Sequence, residues 1–73
     1  MPNKEVRSEI TGTVWKILAK VGDRVAEDDV LMILESMKME IPLTAPEDGV
    51  VKEILVAESD SIAEGQVALL LEI

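Results

Sequence analysis

Glu27-Asp28-Asp29-Val30-Leu31-Met32-Ile33-Leu34-Glu35-Ser36-Met37-Lys38-Met39-Glu40 is the stretch on which the fold turns. Taken by itself it is full of good helix formers, and propensity alone predicts an amphipathic helix over residues 27–40. A second stretch, Val67-Ala68-Leu69-Leu70-Leu71-Glu72, argues against that helix. It copies Val30–Glu35 as an unbroken apolar run, with no polar positions to make a helical stripe. Runs of about five Val, Ile and Leu residues bounded by Gly, Asp and Ser are strand signals. A continuous run predicts a strand lying between two buried layers.

The copying extends well beyond this run. Residues 12–35 align with residues 49–72 at a constant offset of 37, without a gap, and ten of the 24 pairs are identical. The identical pairs include Gly12/Gly49, Asp23/Asp60, Val30/Val67, Leu34/Leu71 and Glu35/Glu72. Each copy starts at a glycine and runs through an apolar stretch, Val14 to Leu18 in the first. It then turns through Gly22-Asp23-Arg24 or Ser59-Asp60-Ser61 and ends in the apolar run. Val14, Ile17 and Leu18 by themselves also fit one face of a helix. Duplication favours one supersecondary unit used twice, each copy burying the apolar face of the other. Several short strands in so short a chain predict an all-β sandwich or small barrel. Asp48-Gly49 is a turn dipeptide, and Pro42 and Pro46 exclude a helix between the copies. Gly12 and Gly49 are expected to be turn or bulge glycines. Trp15, the only aromatic residue, aligns with Lys52 and is expected to be exposed on its strand.

Composition narrows the chemistry. Seventy-three residues make one small domain, taken as residues 1–73, with 48% hydrophobic residues and therefore an aliphatic core. There is no His and no Cys, which removes thiol nucleophiles, disulfides, zinc sites and the usual general base. No catalytic residue and no metal site are expected. Fifteen acidic residues against seven basic ones give a net charge of −8, unsuited to nucleic acid or anionic membranes. The start, Met1-Pro2-Asn3-Lys4-Glu5-Val6-Arg7, lacks the apolar core of a signal peptide, and no apolar stretch reaches membrane-spanning length. A cytoplasmic, monomeric domain is the expectation. Glu27, Asp28 and Asp29 are expected to form a solvated loop, because paired carboxylates for hydrolysis need a cleft.

One amine remains to be explained. If Val30–Leu34 and Ile41–Ala45 are strands, Glu35–Glu40 holds the turn between them. It contains none of the Gly, Asn or Pro that tight hairpins favour. Met37 and Lys38 must then adopt backbone conformations that cost ordinary residues something. A turn built from unfavourable residues implies that their side chains are needed. Lys38 stands at the junction of the two copies, where an exposed amine is open to modification.

Glu35-Ser36-Met37-Lys38-Met39-Glu40 resembles the attachment signature of the biotinyl/lipoyl attachment domains. Gly22-Asp23-Arg24-Val25, Ala45-Pro46-Glu47-Asp48-Gly49-Val50-Val51 and Glu64-Gly65-Gln66-Val67 also resemble that family, so the likeness covers about residues 10–73. The resemblance implies a flattened β-barrel of two four-stranded antiparallel sheets with quasi-twofold symmetry and Lys38 at an exposed hairpin tip. It implies a non-catalytic carrier on which a biotin protein ligase joins biotin to Lys38. A biotin carboxylase would load the carrier and a carboxyltransferase would unload it. Met37 and Met39 resemble the methionines that frame biotin, whereas lipoyl domains usually place an acidic residue before the lysine. Glu35 matches a position that the family uses in ligase recognition, and Ser36 departs from the commoner Ala. A lipoyl carrier or dual acceptor is the alternative, and an unmodified interaction module on the same scaffold is another. Only about ten residues precede Gly12, and no linker rich in Pro and Ala is present. The expectation is a free-standing carrier that meets its partners by diffusion, or a piece or accessory of a larger protein.

Overall fold

The computed structural model describes residues 2–73; Met1 lies outside the described residues. It contains eight strands: β1 (Asn3–Arg7), β2 (Gly12–Ile17), β3 (Arg24–Val25), β4 (Val30–Ser36), β5 (Met39–Thr44), β6 (Gly49–Ile54), β7 (Ser61–Ile62) and β8 (Val67–Glu72). They form two antiparallel four-stranded sheets, ordered β1-β8-β6-β3 and β5-β4-β2-β7. The all-β expectation holds, and the stretch 27–40 is a strand, a turn and the start of another strand.

Shifting each strand of the second sheet by 37 residues gives the first sheet. β2 maps to β6, β3 to β7 and β4 to β8, as the repeat predicts. The same offset relates β1 to residues 40–44 of β5, so the structural repeat is longer than the 12–35/49–72 match. That fourth pair shares no identical residue; only Val6 and Leu43, both buried, keep one hydrophobic position. The loops follow the symmetry too. Gly22 N donates to Val51 O at 2.8 Å, and Ser59 N donates to Val14 O at 2.7 Å. Asp23 Oδ2 accepts from Lys20 N, and Asp60 Oδ2 accepts from Ala57 N, both at 2.9 Å. Left-handed φ values recur at Gly22 and Ser59 (95° and 77°) and at Asp28 and Gly65 (74° and 86°). Each pair needs an αL residue, and glycine supplies it in one copy only.

Leu31, Met32, Leu34, Ile62, Leu69 and Leu71 form the fully buried centre with Val14 and Val51. The apolar run of β4 is not explained by two buried layers. Val30 is exposed and Ile33 only half-buried. The ladder to β5 shifts register between Val30 and Met32, so Leu31 sits at a bulge. A bulge breaks the alternation of faces, which lets Leu31 and Met32 both reach the core. Gly12 and Gly49 are corrected in the same way. They lie in strands, without positive φ. A Cβ on Gly12 would overlap the carbonyl oxygen of Glu35, and one on Gly49 would sit 2.8 Å from Glu72 O. Close backbone approach, rather than a turn, demands glycine there. Trp15 is half-exposed, as expected, and both it and Lys52 fall where the ladders of β2 and β6 skip a residue.

Candidate functional site

β4 and β5 are joined by two residues only. Ser36 pairs with Met39 and Glu35 with Glu40, leaving Met37 and Lys38 as the whole turn. Both have left-handed φ, 53° and 65°, as a two-residue hairpin of type I′ requires at both positions. Neither has the side chain that favours that region, so the ladder behind the turn holds the strain. Pro42 is tolerated in β5 because β5 is a sheet edge.

The tip is open to solvent. Lys38 is exposed, Met37 is 92% exposed and Met39 is 65% exposed. Filling a core is therefore not what these two methionines do; Met32 does that. The ion pairs among the described residues, Lys4–Glu47 and Arg7–Glu5, leave the Lys38 amine out. Glu35, also exposed, faces Glu40 directly across the ladder on the way to the tip. All four predicted site residues thus fall on one hairpin, within the five consecutive positions 35–39.

Two features at the hairpin base escaped the sequence. Ser36 Oγ donates to Thr11 O at 3.1 Å. Gly12 lies against the backbone of Glu35 with no room for a side chain. The glycine was visible, but not the strand it faces; nothing in the sequence marks Thr11.

A groove of about 270 Å³ runs between β1 and β5, lined by Val6, Ile10, Leu34 and Ile41 among others, but Lys38 is not part of its wall. Among the described residues no group of three or more carboxylates is placed to hold a metal. No helix among them is long and apolar enough to cross a membrane. What the hairpin offers is an exposed primary amine on a short, ladder-braced tip, without an ion-pair partner among the described residues. The amine suits acylation by a second protein, since Lys carries a nucleophilic nitrogen on a long flexible stem.

Comparison with known proteins adds the context. The family model described as "Biotin-requiring enzyme" matches residues 3–71. The biotin/lipoyl attachment protein of Bacillus subtilis is 44% identical over 64 residues, covering 88% of each chain. The biotinylated protein TB7.3 homolog of Mycobacterium leprae is 42% identical over 62 residues, 85% of this chain and 87% of that one. Among solved structures, the urea carboxylase of Kluyveromyces lactis overlays 99% of the chain with a TM-score of 0.93 at 33% identity. This chain spans 6% of the length of that enzyme, so it matches one segment of it.

Proposed function

The chain belongs to the biotin-requiring enzyme family, and we propose that it is a carrier whose biotin is joined at Lys38. The observation that carries the assignment is the turn itself: two strained residues, Met37 and Lys38, at an exposed tip between Ser36 and Met39. Strain of this kind persists where the side chains have a use.

In the loading step Lys38 Nζ attacks the acyl carbon of biotinyl-adenylate held by a biotin protein ligase. A base of the ligase would first take the ammonium proton to free the lone pair. The new C–N amide bond then forms as the acyl C–O bond to the phosphate breaks, AMP leaves, and the second amine proton passes out to solvent. The protein's own part is presentation. The ladder of β4 and β5 stops at Ser36 and Met39, so the lysine stem starts clear of the sheet. Met37 and Met39 flank the amine with apolar, adaptable surface that a ligase can grip. Glu35 adds an exposed carboxylate for a basic group of that enzyme. Once attached, biotin supplies a ureido nitrogen that can take up and release a carboxyl group. The tether keeps that ring at a raised local concentration near each partner site, which supports a biotin carboxylase and a carboxyltransferase as the partners.

Intact mass after incubation with biotin, ATP and a biotin protein ligase tests the assignment. One biotinyl adduct is expected on the wild-type chain and none on Lys38→Arg. An adduct surviving in Lys38→Arg would move the site elsewhere. A lipoyl adduct from a lipoate ligase, with none from the biotin ligase, would replace the cargo.

A further inference from the structure

The two halves of the domain are built alike, so a bond present in one half and absent from its copy is one the fold can do without. Most loop bonds come in pairs. Glu64 N donates to Thr11 Oγ1 at 3.0 Å, and its counterpart Glu27 N donates to Asp48 Oδ1 at 2.8 Å. The bond from Ser36 Oγ to Thr11 O breaks the pattern. Offset by 37 residues, Ser36 becomes Ile73 and Thr11 becomes Asp48. Ile73 has no hydroxyl, and its Cδ1 merely approaches the space beside Gly49. The non-acceptor end therefore forms without any such bond.

The unmatched bond also lies where it has something to hold. Ser36 is the last residue of β4, and the next two residues are those with left-handed φ. A strained two-residue turn at the end of a ladder tends to fray, and fraying changes the direction in which Lys38 points. Thr11 is a firm anchor, because Glu64 N fixes its side chain while its carbonyl takes the Ser36 hydroxyl. Gly12, the next residue, packs against Glu35 from the same side.

We infer that Ser36 and Thr11 form a latch that holds the acceptor hairpin in one pose for the modifying enzyme. Ser36 is a positioning residue: it does not touch the reacting atoms. The inference rests on Lys38 being the acceptor, but the latch has a readout of its own. When only a fraction of molecules holds the competent pose, apparent affinity falls by that fraction.

The test uses the unmodified full chain as Ser36→Ala and as Ser36→Thr, which keeps a hydroxyl. A net hydrogen bond predicts that Ser36→Ala speeds amide exchange at Met39, whose pairing with Ser36 closes the ladder, by about twofold to tenfold. The KM for biotinylation should rise with kcat unchanged, by less than the exchange effect, because KM follows the loss of the latched fraction while exchange follows the growth of the open one. Ser36→Thr should restore both. A variant that only weakened the whole domain would speed exchange at core amides too and leave the KM of the folded protein where it was. That result, or wild-type exchange at the tip of Ser36→Ala, overturns the latch. If the wild-type chain takes no biotin, the acceptor assignment fails, while the exchange measurement still decides whether the latch exists.

Discussion

The strain at Met37 and Lys38 can be released by giving the turn the residues its geometry asks for. The perturbation is the double substitution Met37→Asn with Lys38→Gly, which writes the preferred type I′ pair into an unchanged ladder. A left-handed conformation costs an ordinary L-residue about 1–2 kcal/mol, so the two positions together hold about 2–4 kcal/mol. Glycine at 38 removes its share but returns about 0.4–1 kcal/mol through greater freedom of the unfolded chain. Asparagine recovers only part of the other share, since it visits this region more readily than Met but not freely. Lost packing adds little, because Met37 is 92% exposed and Lys38 is exposed as well. A net gain of about 1–2 kcal/mol corresponds to a melting temperature raised by about 4–16 °C in a domain of this size. Scanning calorimetry of the unmodified proteins measures it directly. The variant loses the acceptor amine, so higher stability should coincide with loss of the biotinyl adduct. A midpoint equal to or below that of the wild type would show that the turn stores no strain. The main reason for assigning a role to its side chains would then be gone.

Three further outcomes follow from the fold. Gly12→Ala must push β2 away from the Glu35 carbonyl and should destabilise by about 1–3 kcal/mol, read as a lower urea midpoint. Gly49→Ala, with a looser approach to Glu72 O, should lose less in the same titration. Leu31→Ala empties a fully buried site and should cost about 2–5 kcal/mol. A 73-residue domain commands only about 4–11 kcal/mol, so the loss is a large share of the total and a clearly lower thermal midpoint is expected by circular dichroism. Asp23→Ala and Asp60→Ala each remove one side-chain acceptor from equivalent turns and should destabilise alike, by about 0.5–1.5 kcal/mol each, read as equal falls in melting point. Clearly unequal losses would show that the two turns are not energetic equivalents.

What the sequence made legible follows how local each signal is. The strand in residues 30–36 was readable because its copy, Val67–Glu72, removed the helical alternative; propensity alone points the other way. Lys38 was readable because a tight turn without Gly, Asn or Pro is conspicuous. β1 was not readable, since its relation to β5 rests on one hydrophobic position, Val6 opposite Leu43 in the repeat, with no identity around it. β3 and β7 hold two residues each, too few to show alternation. The bulge at Leu31 hid because an extra inward residue in an apolar run looks the same as a strand buried on both sides. Gly12 and Gly49 read as turn or bulge glycines because a glycine announces freedom or closeness without saying which. Only the facing strand distinguishes them.

Symmetry gives a reason for the proposed acceptor to lie at this turn and no other. A twofold repeat of four strands has two equivalent ends, each where the last strand of one copy meets the first strand of the next set. At one end β4 and β5 meet, and the chain crosses between them through Met37 and Lys38. At the other end β8 and β1 meet, and Ile73 N donates to Pro2 O at 3.0 Å in place of a turn. Among the described residues the hairpin is thus the one turn of the repeat with no structural twin. Every other turn has a twin whose shared bonds constrain it, as the Asp23 and Asp60 turns show. Residues at the unmatched turn answer to the ladder behind them, which runs from Val30–Thr44 to Ser36–Met39, and to the Ser36–Thr11 bond at its end. A ladder of that length can hold two strained residues, and their side chains are then free to be chosen for what they present to solvent. Exposed Met37 and Lys38 therefore stand against the local backbone preference, with exposed Met39 beside them at the start of β5, and this is the reason for reading function from the tip.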